Sequence, residues 1–450
     1  MNVLTSTRWR RSGVFAGLLA LVATSAVAVA PARAAVEAVR AGFTPVVFVH
    51  GQQGSAQQWE SNAMRFSVNG YADGLLHAYE YDTSTASNDQ AVAGLDGFIA
   101  GVRARTGSPR VDVVAHSRGT SVAQTYLATP ERAASVRRYV NVDGRSSATL
   151  PGGVPTLALW GSLQPDGSIG GAANVHLPTL GHTETTTSAE GFAHIHRFLR
   201  DRPARTTAVL PEPPDRVVIA GRALYYPQNQ GVEGVLRVWE VDDRTGARRG
   251  GAAHTVTTGP DGSFGPLEVN GRKHYEAEVV REGQQTHHYY FEPFERSNRF
   301  VRLQISRPGG ITDHVDRCPG HSAFTVIRNR EWWADQQAAG DNDRLRFDGV
   351  DVLAPATAPR LRQILAAFVF DDGCDGASAP GVALPPFSTL PFVTGTDRYV
   401  PAQPDAGRTV RVTQAVRGSG GATRTVATRN WPSDRHSITV QFKDYVGIGS

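Results

Sequence analysis

The sequence is poor in cysteine, methionine and lysine: it has two Cys and two Met in 450 residues, and Lys273 and Lys443 are its only lysines. Two cysteines without further ligands at the usual spacing do not make a metal site, which argues against a structural zinc module. With so little lysine, positive charge falls to arginine. The arginines form no basic tract, and this argues against nucleic acid as a partner. No repeat recurs at a fixed period, which excludes solenoids and propellers. Beyond residue 34 no apolar run is long enough to cross a bilayer.

The one long apolar run is at the start. MNVLTSTRWRR is cationic, SGVFAGLLALVATSAVAVA is apolar, and Ala32, Arg33 and Ala34 form an A-x-A site. Together they read as a signal peptide over 1–34, cleaved before Ala35, and predict a secreted protein. A membrane anchor is the competing reading, but Gly, Ser and Thr interrupt the run. Cleavage removes Arg8, Arg10, Arg11 and Arg33 and no acid, so the formal charge of +4 falls to about zero and says little about partners. In an oxidising compartment Cys318 and Cys374 are expected to pair, with two buried thiols as the alternative. Such a bridge is worth roughly 4 kcal/mol in chain entropy.

A chain of 450 residues suggests two or three domains. From 37 to 202 short apolar runs (TPVVFVHG, LLHAYEYD, VDVVAHS, VRRYVNVDG, VPTLALWG, AANVHLP) alternate with helical patterns such as DQAVAGLDGFIAGVRART and AEGFAHIHRFLRD. This alternation predicts an α/β domain whose mostly parallel sheet is covered on both faces. RPARTTAVLPEPPDR contains a linker at 203–214. Residues 215–306 read as a β-sandwich and 307–450 as a further β-rich region, with a helix candidate at APRLRQILAAF.

Chemistry points to VVAHSRGT, where Ser117 ends an apolar strand and opens a helical pattern. The pentapeptide AHSRG is the G-x-S-x-G elbow with alanine in the first place. So sharp a turn needs small neighbours, which Ala115 and Gly119 supply. The Arg118 amide would then face an oxyanion formed on Ser117, and FVHGQQGS could bring in the Gln52 amide as second donor. A serine needs a base, and the base needs an acid to fix its tautomer. In chain order Ser, Asp, His, the acid should follow the strand after next, which selects Asp166 in ALWGSLQPDGSI. The base is then His182 in LPTLGHTETTTS, with Asp143 of VNVDGRS as rival acid. His176, His194 and His196 fall within elements and read as structural or surface histidines; Asp112 reads as a buried or edge hydrogen bonder.

HGQQG, AHSRG, the Asp166 loop and GH at 181–182, in this order, resemble the α/β-hydrolase fold and, within it, small secreted bacterial lipases that share the alanine variant of the elbow. The similarity covers about 37–202. It implies a triacylglycerol lipase or esterase with Ser117, Asp166 and His182 as triad and the amides of Gln52 and Arg118 as oxyanion donors. It implies no metal or organic cofactor. The partner would be a lipid or other ester, met at a lipid–water interface. Those lipases carry a smaller apolar residue where Gln52 and Gln53 stand, so the acyl pocket is expected to differ. Other esters (polyesters, phospholipids, acetylated polysaccharides) and an inactive, lipid- or glycan-binding scaffold remain as alternatives. Region 215–306 is similar to transthyretin-like and carboxypeptidase-regulatory-like sandwiches.

Short loops leave no room for a lid within the first domain. A downstream β domain is therefore expected to supply the apolar cover, through the aromatics of HHYYFEPF and REWW unless those rings fill cores.

Overall fold

A computed structural model describes residues 33–332, 343–354, 357–358, 362–417 and 419–445. Nearly all of the signal-peptide segment, Trp333 of REWW and residues 359–361 of the helix candidate lie outside the described residues.

The first domain contains every strand that its apolar runs predict. They are β1 (Val46–Val49), β2 (Leu76–Tyr79), β3 (Val111–His116), β4 (Val136–Val142), β5 (Thr156–Trp160) and β6 (Ala173–His176). They pair in the order β2-β1-β3-β4-β5-β6, and every pairing is parallel. Side chains alternate across a strand, so one sequence serves two cores. Val47, Val49, Val113 and Ala115 pack beneath α2 (Asp89–Thr106) and α3 (Arg118–Leu127). Val46, Phe48 and Val114 face α1 (Glu60–Val68) and the last helix (Ala189–Arg200). Helices thus cover both faces of the sheet. Gly107 ends α2 at φ 69°, the left-handed position a glycine takes without strain. Among the described residues no helix is long and apolar enough to cross a membrane.

Beyond the linker the chain is β-structured. β7 (Val217–Tyr226), β8 (Gln230–Gly231), β11 (Ser263–Val269) and β14 (Asn298–Ser306) form one sheet. It packs on β9 (Gly234–Val241), β10 (His254–Thr258), β12 (His274–Val280) and β13 (Thr286–Phe291) around Leu236, Val279, Tyr289 and Leu303. The second of these layers does not stop at the domain border. β13 pairs in parallel with β22 (His436–Gln441), and the same sheet continues through β15 (Phe324–Ile327), β18 (Ala366–Phe370) and β19 (Val393–Asp397). The two β regions therefore share one eight-stranded sheet. On its far half lies a sheet of β16 (Arg344–Phe347), β17 (Val350–Asp351), β20 (Thr409–Ala415) and β21 (Thr423–Arg429), closing a core that holds Phe324, Trp332 and Val412.

Two expectations change. APRLRQILAAF does not supply an α-helix in its described part: Arg362 lies in a 3-10 turn and residues 366–370 are strand β18, with Ala367 to Phe370 all buried. The spacing of Leu and Ile imitates a helical stripe, but the run continues into FVF, an apolar stretch buried on both faces. The aromatics of HHYYFEPF and REWW mostly fill cores: Tyr289, Tyr290 and Trp332 are fully buried. Cys318 and Cys374 are joined in a disulfide, which uses both thiols and leaves neither as a metal ligand.

Candidate active site

Ser117 stands between β3 and α3 with φ 51° and ψ −125°. A non-glycine residue at positive φ costs about 1–3 kcal/mol and persists only where its surroundings impose it. Here the Ser117 amide donates to Val142 O at 3.0 Å. A Cβ on Gly119 would come within 2.4 Å of His50 O, and one on Gly51 within 2.9 Å of Ser117 Cβ. The small residues of AHSRG and HGQQG are thus needed because β1, β3 and α3 nearly touch at this point.

The Ser117 hydroxyl lies 2.8 Å from His182 Nε2. His182 Nδ1 lies 2.6 Å from Asp143 Oδ2, and the second oxygen of Asp143 accepts the Gly161 amide at 2.6 Å. Since a carboxylate only accepts, Nδ1 carries the proton and Nε2 is free to accept from the serine. The carboxylate at His182 is therefore Asp143, and the expectation of Asp166 is corrected. Asp143 ends β4, the neighbour of β3, at φ 43°. After β5 the chain reaches the same place with Gly161, which has no side chain. A Cβ there would come within 3.2 Å of the Asp143 carboxyl. Asp166 lies further along an exposed turn closed by Gly167 N to Gln164 O at 3.0 Å.

Gln52 and Arg118, expected as amide donors, are brought together. Arg118 Nη1 donates to Gln52 Oε1 at 2.6 Å, and Gln52 Nε2 donates to Thr83 O at 2.8 Å. Among the described residues nothing accepts from either backbone amide. The Arg118 amide is one of the orphan donors at the start of α3. The loop is pinned from the second domain: Tyr226 Oη donates to Gln53 O at 2.5 Å and Asn229 Nδ2 to Gly54 O at 2.9 Å.

Several supporting residues escape a sequence reading. His116, next to the nucleophile, accepts from Gln58 Nε2 at 2.5 Å and donates from Nε2 to His182 O at 3.0 Å. Burial keeps its imidazole neutral, well below the ordinary histidine range. The Thr185 hydroxyl donates to the same carbonyl at 2.6 Å. From the C-terminal region, the buried Glu331 carboxylate accepts the amides of Thr183 at 2.5 Å and Glu184 at 3.0 Å. Glu184 in turn accepts from Arg330 at 2.6 Å and Arg417 at 2.7 Å. Burial pushes the Glu184 carboxyl up, but those two guanidinium groups outweigh it and leave it below its ordinary value. REWW stands out in the sequence for its aromatics and not for this carboxylate. Without the fold nothing linked it to GHTE.

A cavity of about 420 Å³ opens on His116 and His182. Its walls come from all three regions: Gln52 and Gln53 from the first, Tyr226 and His287 from the second, Phe368 and Phe392 from the third. The expected cover from downstream is present, and it is built mainly by Leu365, Phe368, Leu390 and Phe392 rather than by the two aromatic clusters.

A Lipase (class 2) family model matches residues 43–134, a Lipase C-terminal domain model matches 215–308, and a further C-terminal-domain model matches 310–446. Among solved structures, lipase B of Aspergillus fumigatus is 15% identical over 36% of this chain and 54% of its own length, with a TM-score of 0.30. Naproxen esterase (carboxylesterase NP) of Bacillus subtilis is 13% identical over 35% of this chain and 84% of its own, with a TM-score of 0.28. A thermophilic esterase from Thermogutta terrifontis is 13% identical over 35% and 90%, with a TM-score of 0.27. On its parallel sheet, its elbow and these family matches, the chain is an α/β-hydrolase, a lipase-like ester hydrolase with a C-terminal β region.

Proposed function

We propose that this protein is a secreted serine hydrolase of carboxylic esters, with acylglycerols as its substrate class. Ser117 attacks the ester carbonyl while His182 Nε2 takes its proton. Asp143 holds the Nδ1 proton and stabilises the imidazolium, and the amides of Gln52 and Arg118 receive the oxyanion. The proton then passes to the departing alkoxide, and water repeats the sequence to release the acid. The observation that carries this reading is the unbroken chain from Asp143 through His182 to Ser117, at 2.6 and 2.8 Å. An acylglycerol is favoured over a small hydrophilic ester because the C-terminal region adds an apolar wall that the first domain lacks.

The test is hydrolysis of a chromogenic short-chain ester by Ser117→Ala. Loss of at least about 10⁴-fold in kcat is expected. Activity within tenfold of wild type would end the proposal. A fluorophosphonate should label wild type on the peptide that contains Ser117 and leave the variant unlabelled.

A further inference from the structure

Three non-glycine residues at positive φ gather around His182: Ser117 at 51°, Asp143 at 43° and Phe392 at 66°. Strain of this kind concentrates where geometry matters to function. The first two are accounted for by the proton path. Phe392 is not, although its ring lies 6.2 Å from the His182 ring and only 15° from parallel to it. Its backbone is fixed from three directions. The Phe392 amide donates to Arg362 O at 3.0 Å, and its carbonyl accepts from Leu365 at 2.7 Å and Ala366 at 3.1 Å. Arg362 also donates to Val393 O at 2.6 Å. The backbone that carries the ring is therefore held in place.

In the reaction proposed above, acylation breaks the bond between carbonyl carbon and alcohol oxygen as the bond to Ser117 Oγ forms. The proton that left Ser117 goes from His182 Nε2 to the departing oxygen. The alcohol must therefore lie on the imidazole side of the site. Phe392 stands beside that imidazole, and Leu390, Phe368 and Leu365 line the same cavity.

We propose that Phe392 is the specificity residue for the alcohol half of the substrate, selecting esters whose alcohol has an apolar body over those of small hydrophilic alcohols. The assignment rests on the roles given to Ser117, His182 and Asp143. An apolar contact of this kind discriminates by roughly one to two orders of magnitude.

The test uses the full chain and two ester series. One holds the acyl group at butyryl and runs the alcohol from methyl through hexyl to benzyl. The other holds the alcohol at ethyl and runs the acyl group from acetyl to decanoyl. Wild type should favour hexyl and benzyl butyrate over methyl butyrate by about tenfold or more in kcat/KM. Phe392→Gly removes the ring and the positive-φ strain together, so folding should survive. It should bring the alcohol ratio to about twofold or less while shifting the decanoyl-to-acetyl ratio by less than it shifts the alcohol ratio, with Phe392→Leu intermediate. An alcohol ratio untouched by Phe392→Gly, or a larger shift in the acyl series than in the alcohol series, overturns the assignment. A wild type that cleaves no ester of either series would instead overturn the hydrolase reading itself.

Discussion

Asp143 is asked to do two things with two oxygens: one holds the proton of His182 Nδ1 and the other accepts Gly161 N. Replacing it with asparagine keeps the shape, but the amide oxygen still has to accept from Gly161 N, which puts the NH2 donor opposite Nδ1, so the imidazole turns its proton toward Ser117 and can no longer act as base. We expect Asp143→Asn to lower kcat by about 10³–10⁴-fold. Asp166→Asn, on an exposed turn, should stay within about twofold of wild type. Steady-state kinetics on one short-chain ester decides both; the reverse ranking would restore Asp166. Ser117 and His182 were legible in the sequence because each sits in a motif with its own steric demand. The acid was only half legible. Asp143 and Asp166 each follow a strand, and counting strands favours the later one. What separates them is a glycine: Gly161 leaves the end of β5 empty beside the Asp143 carboxyl, and no spacing rule reports that.

At the scale of elements, the histidine loop is held from outside its own domain. Among the described residues the Glu331 side chain has no partner other than the amides of Thr183 and Glu184, while its backbone carbonyl receives Arg328 and Arg417. Its carboxylate thus serves the loop. Burial and, after it, the nearby Glu184 carboxylate raise its pKa above the ordinary range. Glu331→Ala should release the loop and misplace His182. A shift of about 1 Å in a reacting group costs on the order of 10²-fold, and this should fall mainly on kcat, since Glu331 itself does not line the cavity. KM should hold within about twofold, because the mutation leaves ground-state binding alone. A loss confined to thermal stability, with kcat intact, would show Glu331 to be a packing residue only. The strands and helices of the first domain were readable because parallel strands are continuous apolar runs. β18 was not, since its short run imitates a helical stripe until the eight-stranded sheet gives it neighbours on both sides.

At the scale of the molecule, the site exists only where three regions meet, and buried ion pairs fasten them. Glu80, just past β2, accepts from Arg302 of β14 at 2.7 Å and Arg222 of β7 at 2.8 Å, as well as from Ala56 N at 2.8 Å. Burial alone would push its carboxyl up. Arg302 and Arg222 overcome that and lower it from 4.5 to about 2. A carboxyl whose pKa is lower folded than unfolded contributes stability that is complete above the unfolded value and drains away as pH falls toward the folded one. The contact between the first two domains should therefore hold at pH 5 and above and weaken between pH 4.5 and about 2. The sequence could not disclose this, because Glu80 and its arginines stand in separate patterned stretches that each read well alone. Glu80→Gln should be destabilising at neutral pH by about 3 kcal/mol, since it leaves two guanidinium groups without their counter-charge. Its melting temperature should also depend less on pH than that of wild type across the acid range. Calorimetry of the full chain from pH 7 to pH 3 measures both. If wild type and variant lost melting temperature in parallel, Glu80 would not be the acid-sensitive clasp and the slope would belong to other carboxylates. If wild type has the steeper slope, the same scans followed by ester hydrolysis should show its activity failing before the first domain unfolds, because Gln53 and Gly54 lose the hold of Tyr226 and Asn229 as the second domain lifts.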